Sequence, residues 1–511
     1  SDLMITAIQK QLPLVLWRYI PHGARGVIAV ILLCGLYVVQ MPSVTPLTSL
    51  DLYNDKRFWQ VGLLLATGAV LLWSRSTRQR WLATFEELPF SARLGLGAVL
   101  GLGVLSAVLA PAPSYAFLED GHIVLLFVLA GVVATVVRRS PRRTGALLLG
   151  AVVLSAFLYA VHFAVSYGLS VAWPALEVGR ESISGFANIR FFNQYQTWTL
   201  PLLGAAVLAI PARQRVGRGV VFFLAALWWT LVLASNVRGT VVALGLAAVG
   251  VGLLFRTQAV RWLGVQAAAL LAGAGLYFVA FHLVGDAAPQ LADRLQQIDG
   301  GSRRFQHWAT CIELLKTHPW LGVGPMHFAW PPFHFASGAH PHNACLQWLA
   351  EWGLPSTIIM SGLVVWGGGR WMRQEQTAST TDSEMSNAVR VGLVAAVLAG
   401  TAHAMVSGLL VMPVSQVLLA LVGGWAWGRY RHDEDQTAAV PSVRAHTILC
   451  GLLVGSMLIV GSSLRDLSTI EERRSAFLDT ADRSRFSPRY WAQGYIGLRD
   501  TSVQKRVRLD R

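Results

Sequence analysis

The sequence is poor in charged residues and in cysteine. Only 14% of its 511 residues are Asp, Glu, Lys or Arg, whereas 54% are hydrophobic. A chain with so little charge cannot cover a water-soluble surface, so the composition excludes a soluble protein. The few cysteines identify no redox compartment. Cys34 and Cys450 lie in apolar runs, and spacing alone does not pair Cys311 with Cys345.

Acidic residues are fewer than basic ones. The 27 Asp and Glu against 42 Lys and Arg give a formal net charge of +15. Most basic residues lie in short loops between apolar runs, where they anchor a protein to membrane lipids. The excess charge therefore predicts membrane lipids as partners and requires no nucleic acid.

Long apolar runs recur along the chain. Each has roughly 17 to 25 residues, the length that spans a ~30 Å hydrocarbon core, and they predict about 12 to 13 transmembrane helices. The predicted fold class is all-α, a polytopic transmembrane helical bundle with a large outer loop that contains short helices. No cleavable signal pattern precedes the first run, which predicts a signal anchor.

The positions of Lys and Arg predict the orientation, because short loops rich in these residues stay in the cytoplasm. This rule places the loops 75–80, 138–143, 213–218, 256–261, 370–373 and 429–431 inside. The segments predicted outside are 42–58, 111–120, 168–192, 236–238, 285–353 and the tail. Four parts follow: N-terminal transmembrane helices (1–284), an outer catalytic loop (285–353), C-terminal transmembrane helices (354–464) and an outer C-terminal tail (465–511).

Several arginines lie in the predicted outer segments and break this rule. They are Arg180, Arg190, Arg238, Arg294, Arg303 and Arg304. Guanidinium groups bind phosphate bidentately, so arginines that converge from several helices would suit the pyrophosphate head group of a lipid. In the alternative interpretation they extend to the membrane interface or bind ordinary anionic lipids.

Histidine is concentrated in the outer loop, at His307, His318, His327, His334, His340 and His342. Three interpretations are open. As metal ligands, His340 and His342 are too close in sequence to be more than part of a site. As a proton-transfer group, His342 would take the proton from an attacking sugar hydroxyl. In a structural role, the rings would bond the loop backbone. Because Pro341 favours an extended His340, we expect His342 and Asn343 to open the next helix.

The same loop contains a series of spaced motifs: Arg304-x-x-x-Trp308, Pro319-Trp320-Leu321-Gly322-Val323-Gly324, His342-Asn343 and Glu351-x-Gly353. The series resembles the signature region of the O-antigen ligase and polymerase superfamily. These are polytopic membrane enzymes with a large periplasmic loop between two late spans. The resemblance implies a GT-C-like bundle in the bacterial inner membrane. It also implies transfer of a glycan from undecaprenyl pyrophosphate, with no metal and no cofactor.

The resemblance also implies roles for particular residues. By motif position, His342 is the catalytic histidine and Arg304 the essential loop arginine, with the neighbours His340 and Arg303 as alternatives. Arg190 and Arg238 occupy the kind of inter-span positions that the family uses. Together the arginines are expected to bind the donor pyrophosphate, while His342 contacts the acceptor hydroxyl and the displacement inverts the anomeric carbon.

The acceptor decides the function within this superfamily. Lipid A core oligosaccharide would make the chain an O-antigen ligase, which we favour. A pilin or another protein would make it a protein O-oligosaccharyltransferase, and a second lipid-linked glycan would make it a polymerase. Protein-modifying relatives usually have a Gln-Pro-Asn-His-like motif, where this chain has Arg190-Phe191-Phe192-Asn193-Gln194.

Two other classes fit the sequence less well. A transporter of polyprenyl-linked glycans would place charge along a midplane cavity and often shows internal repeats, whereas here the charge is concentrated at one outer face and no repeat is found. A glycosidase with paired carboxylates would need two acids at a set separation, and the acids of the loop form no convincing pair by sequence.

Overall fold

A computed structural model describes most of the chain: residues 22–40, 48–173, 182–284, 300–331, 333, 338–377, 384–430, 442–472, 488–492, 494 and 496. All regular structure in these ranges is helical, and no strand occurs in them. The predicted all-α class is confirmed.

Fifteen α-helices occur in the described ranges. Their bounds are α1 His22–Gln40, α2 Leu52–Trp73, α3 Arg75–Glu86, α4 Phe90–Leu109, α5 Pro113–Arg139, α6 Pro141–Ala172, α7 Ile189–Ala209, α8 Arg215–Ser235, α9 Arg238–Phe255, α10 Val260–Tyr277, α11 Gly300–Thr317, α12 Ala344–Thr377, α13 Glu384–Ala404, α14 Pro413–Arg429 and α15 Val443–Ser462. A π-helical turn, Phe278–Leu283, extends α10, and a short 3-10 helix, His327–Ala329, lies between α11 and α12.

Eight helices of the described chain are long and apolar enough to cross a membrane, or up to nine if the pair α2 and α3, bent by 102°, forms one span. This is fewer than the number of apolar runs, for four reasons. The apolar part of α1, Ala29–Gln40, is too short to span. α14 has only 17 residues. α7 carries several polar residues. Arg238–Leu283 counts as one stretch of 46 residues. That stretch breaks at Arg256, where φ is 47°, and α9 then packs on α13 while α10 packs on α8.

α7 lies at the centre of the bundle, in contact with α6, α8, α13 and α14. Its polar side chains are buried and bonded to neighbouring helices. The Asn193 amide donates to the Ser235 hydroxyl at 2.8 Å, and the Gln196 amide donates to the Trp228 carbonyl at 2.9 Å. Unbonded amides would be costly beside hydrocarbon, so these contacts fix the position of α7.

The predicted outer segments meet at one end of the bundle. Tyr53 contacts Phe191 with ring centroids 5.8 Å apart, and its hydroxyl donates to the Arg489 carbonyl at 3.2 Å. The Ala112 N–H donates to the ring of His327 at 3.1 Å. The contacts of Tyr53 join the segments 42–58 and 168–192 to the tail. The bond of His327 joins 111–120 to 285–353.

The arginine-rich connections form a separate set of contacts. Arg138 forms an ion pair with Glu87, and its guanidinium donates to the Tyr430 carbonyl at 3.1 Å. The Asn387 amide donates to the Gln258 carbonyl at 3.2 Å. The segregation of the two sets of connections agrees with the alternation that the basic residues predict, while the side of the membrane that each set faces stays a prediction.

The exposed Cys345 allows this orientation to be tested, since Cys34 and Cys311 are buried. We expect a membrane-impermeant maleimide to label Cys345 from the periplasmic side of intact cells. A cysteine placed at the exposed Gln214, in a Cys345→Ser background, should react only after permeabilisation. The reverse pattern would show that the bundle is inverted.

Candidate functional site

Two of the loop motifs interlock through their backbones. After α11 the chain runs back along the first turns of α12. The Val323 N–H donates to the Ala350 carbonyl at 2.9 Å, and the Gly324 N–H donates to the Glu351 carbonyl at 3.1 Å. The motif Pro319 to Gly324 and the motif Glu351-x-Gly353 therefore form one rigid unit, although they are distant in sequence.

Glycine is required where these backbones cross. Gly322 has φ 67° and Gly353 has φ 77°, a region that other residues rarely adopt. A Cβ at Gly322 would lie 2.5 Å from the carbonyl carbon of Glu351, which the backbone cannot accommodate. The Ser106 hydroxyl on α4 donates to the Leu321 carbonyl at 2.6 Å and so attaches the unit to the bundle.

His340 and His342 lie on the turn that precedes α12. Their ring centroids are 4.1 Å apart, and the Pro341 carbonyl between them accepts the indole N–H of Trp308 at 3.1 Å. The Asn343 side chain accepts the backbone N–H three residues further on at 2.9 Å and caps the helix. The prediction that Asn343 opens the helix is confirmed, because α12 begins at Ala344. His342 lies before the cap and does not belong to the helix. His342 adopts φ 57°, which is uncommon for a residue other than glycine.

Two of the predicted arginines approach His342 from different helices. Arg190 lies in the first turn of α7, where its N–H bonds the Asn188 side chain at 2.9 Å. Arg304 lies half-buried near the start of α11. Burial and the neighbouring Arg190 lower the pKa of Arg304, and both arginines act on the ring of His342. The structure thus brings Arg190, Arg304 and His342 together. The side chain of Arg303 lies outside the described residues.

Arg238 joins this group less directly. It opens α9 at an exposed position, and a Cβ on its neighbour Gly239 would lie 3.4 Å from Nε2 of His403. His403 is buried and its Nδ1 bonds the Thr197 hydroxyl at 2.7 Å, while the charge of Arg304 also reaches it. The sequence argument missed His403, for which the signal was a histidine inside an apolar run.

The electrostatic environment favours neutral imidazole rings. Burial first, and then the cations Arg190 and Arg304, lower the pKa of His342 to about 3. Burial lowers the pKa of His340 well below its ordinary value, with His342 among the further causes. His307 is also buried, with its ring centroid 6.4 Å from that of His342. A neutral ring can accept a proton from a hydroxyl at neutral pH.

The remaining loop histidines differ from this group. The Nδ1–H of His327 donates to the Pro325 carbonyl at 2.8 Å and its Nε2 accepts the Ala112 N–H, so both nitrogens have structural partners. Burial lowers the pKa of His327 to about 4. His318 is exposed, and His334 lies outside the described residues.

The middle of the chain matches a known family. Residues 221–361 match the family model described as O-antigen ligase. Over these residues the chain is similar to the O-antigen ligase family, and we call the matched region the ligase domain. The resemblance of the loop motifs is thereby confirmed. The domain begins in α8 and ends in α12, so it contains Arg238, Arg304 and His342, whereas Arg190 lies outside it. No curated protein matches the chain significantly.

The O-antigen ligase domain and the apolar helices together indicate a multi-pass membrane protein of a glycosyltransferase-like family. Among the described side chains, no three His, Cys, Asp or Glu residues group as a metal site would require. Independence of metal stays a prediction, which a chelator tests.

The sequence argument also missed an arginine that contacts the ligase domain from the C-terminal tail. Arg489 forms ion pairs with Glu351 of the domain and with Glu119, each at 2.7 Å. Its side chain is 2% exposed. The available signal was the aromatic pair Tyr490-Trp491 beside it, in a tail that otherwise contains many polar residues.

The lowered pKa of His342 predicts how the reaction depends on pH. An ordinary imidazole is only roughly 3% neutral at pH 5, whereas a ring with a pKa of about 3 is still neutral there. If neutral His342 is the reactive form, kcat/KM for glycan transfer should be constant between about pH 5 and 8.

The variant Arg304→Gln tests whether the charge of Arg304 contributes to the lowered pKa of His342. Removing a cation favours the imidazolium, so the pKa of His342 should rise and the acid limb of the kcat/KM profile should move to higher pH. A wild-type limb near pH 6.5, unchanged in the variant, would contradict the assignment.

Proposed function

We propose that this chain is an O-antigen ligase. It transfers a glycan from undecaprenyl pyrophosphate to lipid A core oligosaccharide on the periplasmic face of the bacterial inner membrane. The observation that carries the proposal is the approach of Arg190 and Arg304 to the ring of His342, which lies in the region that matches the ligase family.

The arginines serve the donor. The lipid tail lies among the apolar helices, and the pyrophosphate binds Arg190, Arg304 and Arg238 at the outer membrane edge. When the glycosidic bond breaks, negative charge develops on the departing pyrophosphate oxygen. Fixed guanidinium groups in a partly dehydrated site stabilise this charge better than water does, because they need no reorganisation. Two like charges held close together also favour the binding of an anion between them.

His342 serves the acceptor. The acceptor hydroxyl oxygen forms a bond to the anomeric carbon from the face opposite the pyrophosphate, and its proton passes to the ring of His342. The undecaprenyl pyrophosphate leaves with the electron pair of the broken bond. One displacement of this kind inverts the anomeric carbon and uses no metal. Buried His340 packs against the ring of His342 and limits its orientation.

The alternatives differ in the acceptor. A protein acceptor would make the chain an O-oligosaccharyltransferase, and a lipid-linked glycan acceptor would make it a polymerase. In the position of the Gln-Pro-Asn-His-like motif, Asn193 and Gln194 are buried and bonded to Ser235 and Ser407. These side chains therefore support the bundle, which favours the ligase over the protein-modifying enzyme. A transporter would need no external imidazole.

The direct test is a transfer assay with the purified chain in EDTA, with a donor of undecaprenyl-pyrophosphate-linked glycan. Lipid A core, pilin and a second lipid-linked glycan are offered separately as acceptors. We expect transfer to lipid A core, reduced by about 10²- to 10⁴-fold in His342→Ala because a proton acceptor is lost.

The matched control is His318→Ala, which removes an exposed histidine of the same loop and should keep full activity. Transfer to pilin or to the second glycan alone would establish the corresponding alternative. Equal activity in His342→Ala and wild type would remove this histidine from the mechanism.

The arginine assignment is tested by Arg304→Lys and Arg304→Gln. Lysine keeps the charge but not the planar fork that binds two phosphate oxygens, so we expect an intermediate loss of activity. Glutamine should reduce kcat by about 10²-fold or more. Lys316→Gln, an exposed cation on the same helix, is the control. If lysine and glutamine at position 304 act alike, neither charge nor geometry at this position matters.

A further inference from the structure

Part of the predicted outer tail returns into the protein and is buried there. We call residues 488–492, 494 and 496 the C-terminal insert. Arg489, Tyr490, Trp491 and Ile496 are 2%, 7%, 1% and 4% exposed.

Hydrogen bonds hold the C-terminal insert on two sides. On α2, the Asn54 side chain accepts the Ala492 N–H at 2.9 Å, and the buried Arg57 donates to the Tyr490 carbonyl at 2.9 Å. On the ligase domain, the Ala329 carbonyl accepts the Ile496 N–H at 3.1 Å. The insert therefore bridges the first half of the bundle and the loop that precedes α12.

Arg489 makes the strongest of these links. One of its terminal nitrogens, Nη2, contacts the carboxylates of Glu119 on α5 and Glu351 on α12 at 2.7 Å each. Glu351 also accepts the Phe328 N–H at 3.1 Å. A deeply buried charge is stable only while it is paired. Removal of the arginine therefore leaves the buried Glu351 and the half-buried Glu119 uncompensated.

This ion cluster lies beside the candidate site. Glu351 is in the helix that Asn343 caps, directly after His340 and His342, and it belongs to the interlocked backbone unit. The charge of Arg489 reaches both His340 and His327. A shift of Glu351 would therefore move the start of α12 and the two histidine rings relative to α7.

We propose that Arg489 is a positioning residue for glycan transfer. By pairing with Glu119 and Glu351, it fixes the C-terminal insert between α2, α5 and α12 and holds the turn of His340 and His342 against Arg190. The proposal rests on the proposed function, since it assigns Arg489 to the reaction of the same site. Arg489 touches neither donor nor acceptor in this assignment.

The test compares three variants of the full chain. Arg489→Met removes the cation and leaves both acids buried. The triple variant Arg489→Met, Glu119→Gln, Glu351→Gln removes all three charges, so no buried charge is left unpaired. Arg465→Met is the matched control, because Arg465 is an exposed arginine of the same tail.

Two measurements are made on each variant. Chymotrypsin cleavage after Tyr490 and Trp491 reports whether the C-terminal insert is in place, independently of any activity. The kcat and KM for glycan transfer report on the site. In Arg489→Met we expect cleavage at least about ten-fold faster. We also expect a kcat lower by about 10²-fold, because small displacements of a reacting group have effects of this size.

The triple variant separates positioning from chemistry. If Arg489 acts only through the insert, the triple variant should regain protection from chymotrypsin and a kcat within about three-fold of wild type. Restored protection without restored kcat would show that at least one of the three charged groups acts on the reactants, which overturns a role in positioning alone. Wild-type protection and kcat in Arg489→Met would overturn it as well.

The activity of the wild type separates a failure of this inference from a failure of the proposed function. An active wild type with an unaffected Arg489→Met removes the positioning role alone. A wild type that transfers no glycan to any of the three acceptors overturns the proposed function, and the role of Arg489 in transfer with it.

Discussion

The repulsion between Arg190 and Arg304 is the constraint on which the proposed chemistry depends. Two guanidinium groups from different helices lie close enough that one lowers the pKa of the other. Such a pair is stable only if the helices beneath it are fixed, and it binds most favourably a ligand that carries negative charge. Burial and then the same two cations lower the pKa of His342, so the arrangement suits both the leaving group and the attacking hydroxyl.

The bundle supplies the rigidity that this arrangement needs. α7 carries Arg190 and is held through the buried amides Asn193 and Gln196. The turn of His342 is held through the backbone crossing of Gly322 and Gly353 and through the ion cluster behind it. The loop motifs are therefore mainly structural. The glycines allow the two backbone segments to cross, and the candidate His342 lies on the turn just before α12.

Much of the fold and part of the candidate site could be predicted from the sequence. Hydropathy predicted the helical class, the basic loops predicted which connections share an end, and the motifs led to Arg304 and His342 because spacing within one loop is local information. The sequence argument did not identify His403 and Arg489, because their partners are distant in sequence. A role for His403 can be inferred only once the fold places Arg304 near it. A role for Arg489 can be inferred only once the fold places Glu119 and Glu351 beside it.

The bond between the hydroxyl of Tyr53 and the backbone of Arg489 joins residues 436 positions apart. During synthesis, α2 reaches the membrane long before the residues that cover its outer end exist. The polar side chains of that end must meanwhile remain hydrated or be covered by other groups. A nascent chain would thus lack these contacts until the residues near position 489 have been synthesised, so the polar end of α2 reaches its final environment late.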